Sequence, residues 1–196
     1  MTAKRRAPAL RGVFAFDDPG WTAPERLVVD TSVVVEAIVP NTPTHEVCVA
    51  LFQALSDAGT IVLYNGLLTT ELAETLFRLA LIDRWGRKQW RRARYDGRAR
   101  RRAGRLLSAG LGAWQDILDS VNSSQVNHAE VSDEVFELMR RYGLGSYDAV
   151  HAATALQENV FDIATLDHGF AALSPSLVGL HTTSRRAPQM RRTRGR

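Results

Sequence analysis

Cysteine is almost missing from this chain of 196 residues, and its one thiol, Cys48, has no internal partner for a disulfide. Set among Val47, Val49, Leu51 and Phe52, it reads as a small core residue. Long apolar runs are missing too: none approaches the roughly 18 residues that a membrane span needs. The positively charged start is not followed by the continuous apolar segment of a secretory signal. A reducing cytoplasm, with no membrane, is therefore the expected setting. No internal repeat is present, and the length suits one domain with a proper core plus appendages.

The two charge signs avoid each other. Of the 25 Lys and Arg, 21 fall in three short segments, 1–11, 84–105 and 185–196, whereas only one of the 21 acids, Asp96, lies inside them. The formal net charge of +4 hides an acidic body carrying basic segments. Such a body attracts cations and repels polyanions, so the basic segments are the expected means of holding a nucleic acid near it.

Four acids stand where solvation does not explain them. Asp30 ends the apolar run Leu27-Val28-Val29, and Glu71 lies within a helix pattern whose stripe is Leu68, Leu72, Leu76 and Leu79. Asp148 lies within Ser-Tyr-Asp-Ala-Val-His, and Asp167 follows Ile163-Ala164-Thr165-Leu166. Each has a plainer reading. Asp30 can cap a helix; Glu71 competes with Glu74 and either can favour a helix dipole; Asp148 can be a first-turn acid behind a Ser146 cap; Asp167 can be a turn aspartate. A carboxylate at a buried strand end costs several kcal/mol unless a cation compensates it. Taken together, the four predict a hard-metal site for Mg²⁺ or Mn²⁺, which prefer oxygen ligands.

Strand patterns are expected at 26–30, 60–64, weakly at 124–127, at 161–164 and at 177–182. Helices are expected at 32–38, 44–57, 67–83, 131–141 and 146–158. The alternation predicts an α/β fold of three layers, a central parallel sheet with helices on both faces. Asp30 and Asp167 then fall just beyond the carboxyl ends of strands, where open α/β sheets gather functional groups. Residues 1–25, with Pro8, Pro19, Gly20 and Pro24, read as a basic extension of low order, 26–183 as the domain, and 184–196 as a basic disordered tail.

Val28-Val29-Asp30-Thr31-Ser32, Thr69-Thr70-Glu71-Leu72, Tyr147-Asp148-Ala149-Val150-His151-Ala152-Ala153 and Ala164-Thr165-Leu166-Asp167 with Phe170 resemble, in order and spacing, the motifs of PIN-domain ribonucleases. The likeness is greatest to the VapC toxins of toxin–antitoxin pairs, and it runs from about Arg26 to Thr183. It implies that Asp30, Glu71, Asp148 and Asp167 are catalytic metal ligands, with Ser32 and Thr165 as supporting hydroxyls. It further implies an endoribonuclease, a small antitoxin protein that occupies the cleft, and a homodimer. A metal-activated water would cut RNA to leave a 5′-phosphate and a 3′-hydroxyl. Where many relatives carry a further acid, this chain has Gly169, which leaves open one or two ions and keeps a noncatalytic RNA-binding protein with a degenerate site as the alternative. A haloacid-dehalogenase-type phosphatase fits less well, because Ser32 stands where that chemistry wants a second aspartate.

The stretch 84–105 exceeds the family pattern. Arg91, Arg92, Arg94, Arg100, Arg101 and Arg102 are candidates for binding phosphate, and Trp85, Trp90 and Tyr95 for base stacking. The competing reading is a solvated helical arm whose tryptophans pack on the domain or a partner. Gly86, Gly97 and Gly104 argue against one rigid helix. His151 reads as a core or supporting group, His168 as a candidate for touching substrate phosphate, and Asn65 as either cleft lining or turn chemistry.

Overall fold

The computed structural model describes residues 11–127, 129 and 131–195. Its strands are β1 (Val13–Ala15), β2 (Arg26–Val29), β3 (Ile61–Asn65), β4 (Asn122–Val126), β5 (Asp162–Ala164) and β6 (Gly179–Thr182). All pair in parallel, in the order β1-β6-β5-β2-β3-β4. The chain runs outward from β2 through β3 to β4, then returns to lay β5 on the other flank of β2. The direction of winding therefore reverses between β2 and β5, and a crevice opens there at the carboxyl ends of the strands.

Period-two alternation sorts the side chains into two faces. Leu27, Val29, Val62 and Ala164 bury against α1 (Thr31–Ile38), α2 (His45–Asp57), α3 (Gly66–Trp85) and α5 (Gly97–Ser120). Val28, Leu63, Ile163 and Leu180 bury on the other side against α6 (Ser132–Tyr142), α7 (Ser146–Gln157) and α8 (Ala187–Arg194). This is the expected three-layer α/β arrangement. On α7 the small residues Ala149, Ala152 and Ala153 are buried, which lets the helix lie close to the sheet. Cys48 is buried in the first cluster, and burial pushes its thiol up to about 12, which keeps it unreactive.

Most expected elements fall within two or three residues of their observed bounds, but four were not expected. The extension 1–25 is not of low order throughout: Val13–Ala15 form the edge strand β1, with Val13 and Ala15 inward and Phe14 outward. Its first ten residues lie outside the described residues. The tail 184–196 is likewise not disordered where it is described, because α8 buries Ala187 and Met190 against the sheet layer. The short α4 (Trp90–Ala93) and the long α5 were hidden by their arginines. Arg196 lies outside the described residues.

The basic stretch is broken, though not at all three glycines. Gly86, at φ +74, ends α3 in a conformation that side chains rarely adopt. Asp96 then starts α5 by accepting hydrogen bonds from the backbone N–H of Arg98 at 2.9 Å and Ala99 at 2.7 Å. Gly104 lies inside α5, where buried Ala99, Ala103, Gly110, Trp114 and Leu118 form one helical seam. On α3 the seam continues beyond Leu76 through Ala80 and Leu81, leaving Leu79 only half-buried.

Two of the helix-interior glycines of α5, Gly104 and Gly110, should respond oppositely to alanine. A methyl at Gly104 meets nothing within 4 Å, whereas one at Gly110 would come within 2.5 Å of Leu76 Cδ1 in the packed seam between α3 and α5. Gly104→Ala should therefore raise stability by about 0.5–1 kcal/mol through helix propensity. Gly110→Ala should lower it. Chemical unfolding of both variants reads the two signs.

Candidate metal centre

Asp30 sits at the reversal point, directly after β2, and caps α1. Both plain and chemical readings of this residue hold together, because its two oxygens do different things. Oδ2 accepts from Thr165 Oγ1 at 2.8 Å, from the Ser32 hydroxyl, and from the Ser32 backbone N–H at 3.4 Å. Each hydroxyl also accepts a backbone N–H from the segment after β5: Leu166 N–H donates to Ser32 Oγ at 2.9 Å and Asp167 N–H to Thr165 Oγ1 at 2.9 Å. Ser32 and Thr165 thus tie the end of β2 to the segment after β5. Oδ1 stays turned toward His151 Nε2, 3.6 Å away.

Glu71 reaches the same point from α3. Its Oε2 accepts from Thr31 Oγ1 at 2.6 Å and lies 3.4 Å from His151 Nε2. Glu74 is exposed, so the helix register turns Glu71 and not Glu74 into the crevice. Asp148 occupies the first turn of α7 behind Gly145, and Ser146 makes no capping bond. Asp167 caps the short 3₁₀ turn His168–Ala172 by accepting from Gly169 N–H at 2.7 Å.

One cleft of about 340 Å³ is lined by Asp30, Glu71, Asp148 and Asp167 together with Thr31, Ser32, Thr75 and the two arginines Arg78 and Arg186. The four acids chosen from sequence thus meet. Oxygens of Asp30 and Glu71 and a ring nitrogen of His151 all lie within 4.8 Å of one another. His151, buried beside both acids, is the group that sequence reasoning undervalued; its place near the start of α7, about one turn after Asp148, was the available signal.

The titration shifts describe a site short of positive charge. Burial, with Glu71 nearby, raises the Asp30 carboxyl against the opposing His151, Ser32 and Thr165. Burial and the neighbouring Asp167 and Asp30 charges push Asp148 up to about 6. For Glu71, burial pushes upward, but hydrogen bonds from His151 and Thr31, with the His151 and Arg78 charges, win and lower it. His151 is raised: burial opposes its charge, and the Glu71 hydrogen bond with the Asp30, Glu71 and Asp148 charges prevails. The donor set, mostly carboxylate oxygen with surplus negative charge, fits a divalent cation.

The position where a further acid was expected has a steric character of its own. A Cβ at Gly169 would lie 3.2 Å from Asp167 Oδ1 and 3.3 Å from Asp148 Oδ2. Glycine lets these two carboxylates close on each other.

Other candidates fall away from the centre. Asn65 is buried and caps α3 by accepting from Leu67 N–H at 2.9 Å, so turn chemistry accounts for it. His168 Nε2 pairs with Thr193 Oγ1 of α8 at 2.8 Å. Trp85 and Trp90 are half-buried against Ala80, Leu81, Ala93, Ala99 and Ala103, which supports the packed-arm reading for both rings. Tyr95 is 78% exposed, and Arg91, Arg92, Arg94, Arg100, Arg101 and Arg102 all face solvent.

The PIN domain family model matches residues 27–174. No curated protein matches the chain in sequence. Among solved structures, FitAcB of Neisseria gonorrhoeae is similar at 20% identity and TM-score 0.51, over 79% of this chain and 96% of that one. VapC20 of Mycobacterium tuberculosis, described as a sarcin-ricin loop cleaving toxin, is similar at 15% identity and TM-score 0.51, over 74% and 93%. At these identities the two structures speak for the fold.

Asp148 gives a pH test that needs no substrate. Its folded pKa is raised, so the stability that its neutral form allows is present below about 3.8 and is lost as pH rises through about 6. Without added metal, Asp148→Asn should match the wild type near the acid end and exceed it above pH 7, by on the order of 1 kcal/mol after discounting for solvent screening. Urea unfolding across that range, with chelator present, measures the difference.

Proposed function

The chain belongs to the PIN domain family, and on that premise we propose that it is a divalent-cation-dependent endoribonuclease, the toxin of a toxin–antitoxin pair. The observation that carries this reading is the meeting of Asp30, Glu71, Asp148 and Asp167 around one cleft at the reversal point of the sheet. The similarity in fold to a toxin described as cleaving the sarcin-ricin loop adds support for RNA as the substrate class.

Mg²⁺ or Mn²⁺ is the proposed ion, held by the carboxylates of Asp30, Glu71, Asp148 and Asp167. The chemistry such an ion supplies when bound is acidification of a coordinated water and neutralisation of charge developing on the phosphate. The residues of this chain do the rest. Ser32 and Thr165 fix the Asp30 carboxylate so that Oδ1 remains available. Thr31 orients Glu71 through its 2.6 Å hydrogen bond. His151 shares its Nε2 between these two acids and sets how much negative charge they carry when no ion is present. Attack by water leaves the ribose 2′-hydroxyl unused, so the products are a 5′-phosphate and a 3′-hydroxyl. A small antitoxin protein covering the cleft and a homodimer belong to the same proposal, as does a cytoplasmic setting. Among the described residues, no helix is long and apolar enough to cross a membrane.

Incubating the purified protein with total cellular RNA, with and without Mg²⁺ or Mn²⁺, and mapping the new ends tests the reading. Internal cuts that need metal and carry 5′-phosphates are expected; RNA retained uncut in every condition would assign a binding role instead. Asp148→Asn and Glu71→Gln should each lower the cleavage rate at least 100-fold, about 2.7 kcal/mol of transition-state stabilisation. Glu74→Gln should stay within a few-fold of wild type. Full activity in Glu71→Gln with loss in Glu74→Gln would reverse the assignment.

The exposed arginines of α4, α5 and the turn between them are proposed to hold RNA. Neutralising Arg91, Arg92, Arg94, Arg100, Arg101 and Arg102 together should weaken binding while turnover at saturating RNA survives. The slope of log affinity against log salt should flatten by roughly 0.7 for each phosphate that is no longer neutralised. An unchanged affinity and slope would give the arm to structure or to a protein partner.

A further inference from the structure

We propose that Arg78 and Arg186 form a phosphate-binding pair within the acidic cleft, holding a backbone phosphodiester of single-stranded RNA beside the four carboxylates. The inference rests on the nuclease reading and adds to it the groups that overcome the site's own repulsion of substrate. Arg78 follows Glu71 by seven residues on α3, which returns it to the same side of the helix two turns on, and it lines the same cleft. Arg186 enters from outside the family match, in the segment between β6 and α8.

That segment is built to hold it. Ala187 and Met190 are buried at 1% exposure, Arg191 donates to the Val13 carbonyl at 2.9 Å, and Thr193 meets His168 at 2.8 Å. Arg186 itself donates from its guanidinium to the carbonyl of Leu166, the residue before Asp167. Among the described residues neither Arg78 nor Arg186 is ion-paired, although five carboxylates, the four of the proposed metal centre and Glu36, line their cleft. Two guanidinium forks without a carboxylate partner, set beside a carboxylate cluster, suit a ligand that brings its own anionic oxygens. A guanidinium binds a phosphate through two parallel N–H···O bonds, geometry that a point charge does not supply. RNA is favoured as occupant because the acids repel any polyanion that no cation meets on entry.

The test is binding of a labelled single-stranded oligoribonucleotide across a salt series, with Ca²⁺ in place of Mg²⁺ if that suppresses cleavage. The variants are Arg78→Gln, Arg186→Gln, Arg186→Lys and the double glutamine. Arg140→Gln, on the exposed surface of α6 and outside the basic segments, controls for net charge. Each cleft glutamine should weaken binding about five- to tenfold at low salt and flatten the salt slope by roughly 0.7. Arg186→Lys should recover part of the affinity, and the control should stay at wild type. In Mg²⁺ the cleft variants should raise KM more than they lower kcat. Arg78→Gln removes no described hydrogen bond, so it keeps the test decisive if Arg186→Gln loses stability. Wild-type affinity and slope in both cleft variants, or an equal loss in Arg140→Gln, would overturn the pair. A wild-type protein that binds RNA without cutting it in Mg²⁺ or Mn²⁺ would remove the nuclease reading and leave the pair standing.

Discussion

The buried carboxylate of Asp30 is the constraint around which the rest is arranged. It is 3% exposed at the end of a strand buried on both faces, where an unsupported charge costs several kcal/mol. The chain answers with two hydroxyls, one from each strand end, each donating to Oδ2 and accepting a backbone N–H from the segment after β5. The same bonds that make the charge tolerable also close β2 onto β5 at the point where winding reverses. Fold and site are thus one hydrogen-bonded unit, and loss of either hydroxyl reaches both.

Burial of Asp30 also fixes what its neighbours must be. His151 on α7 has to lie beside it, and that requires Ala149, Ala152 and Ala153 to bring the helix down close to the sheet. Glu71 takes the opposite flank because Leu68, Leu72 and Leu76 orient α3 by burying its other side. Asp148 and Asp167 approach across Gly169, where a larger residue would press on both carboxylates. Apolar packing therefore sets the spacing of the acids, and the acids in turn create the need for a cation.

This division explains what was legible in the sequence. Asp30, Glu71, Asp148 and Asp167 stood out because each interrupts an apolar pattern, and the patterns themselves supplied the order of the central strands and helices. The edge strand β1 is only Val-Phe-Ala, three residues set in a Pro- and Gly-containing extension, and β4 reads Asn-Ser-Ser-Gln-Val, which lacks the apolar run of the buried strands and so gave only a weak pattern. Helix α5 was obscured because its seam in the basic stretch uses only alanine, whose small size hides a buried face among arginines. Its spacing from Ala99 through Ala103 and Gly110 to Trp114 and Leu118 is nonetheless helical throughout. His151 was read as supporting because a lone histidine in an apolar helix has no partner in sequence; the two acids beside it come from residues far away in the chain.

The segregation of charge becomes physical once the arm is seen as a packed element. Trp85 and Trp90 pack against Ala93, Ala99 and Ala103, so aromatic area that could stack on bases goes instead into the contacts of the arm. Its arginines are left on the outside of a fixed scaffold, each with no carboxylate described within ion-pair reach. A rigid basic surface keeps its charges spaced, whereas a flexible one relaxes onto the nearest acids and screens them. Holding the arginines on α4 and α5, and tying Arg186 to a backbone carbonyl instead of a carboxylate, keeps the acids and the cations of one molecule from neutralising each other.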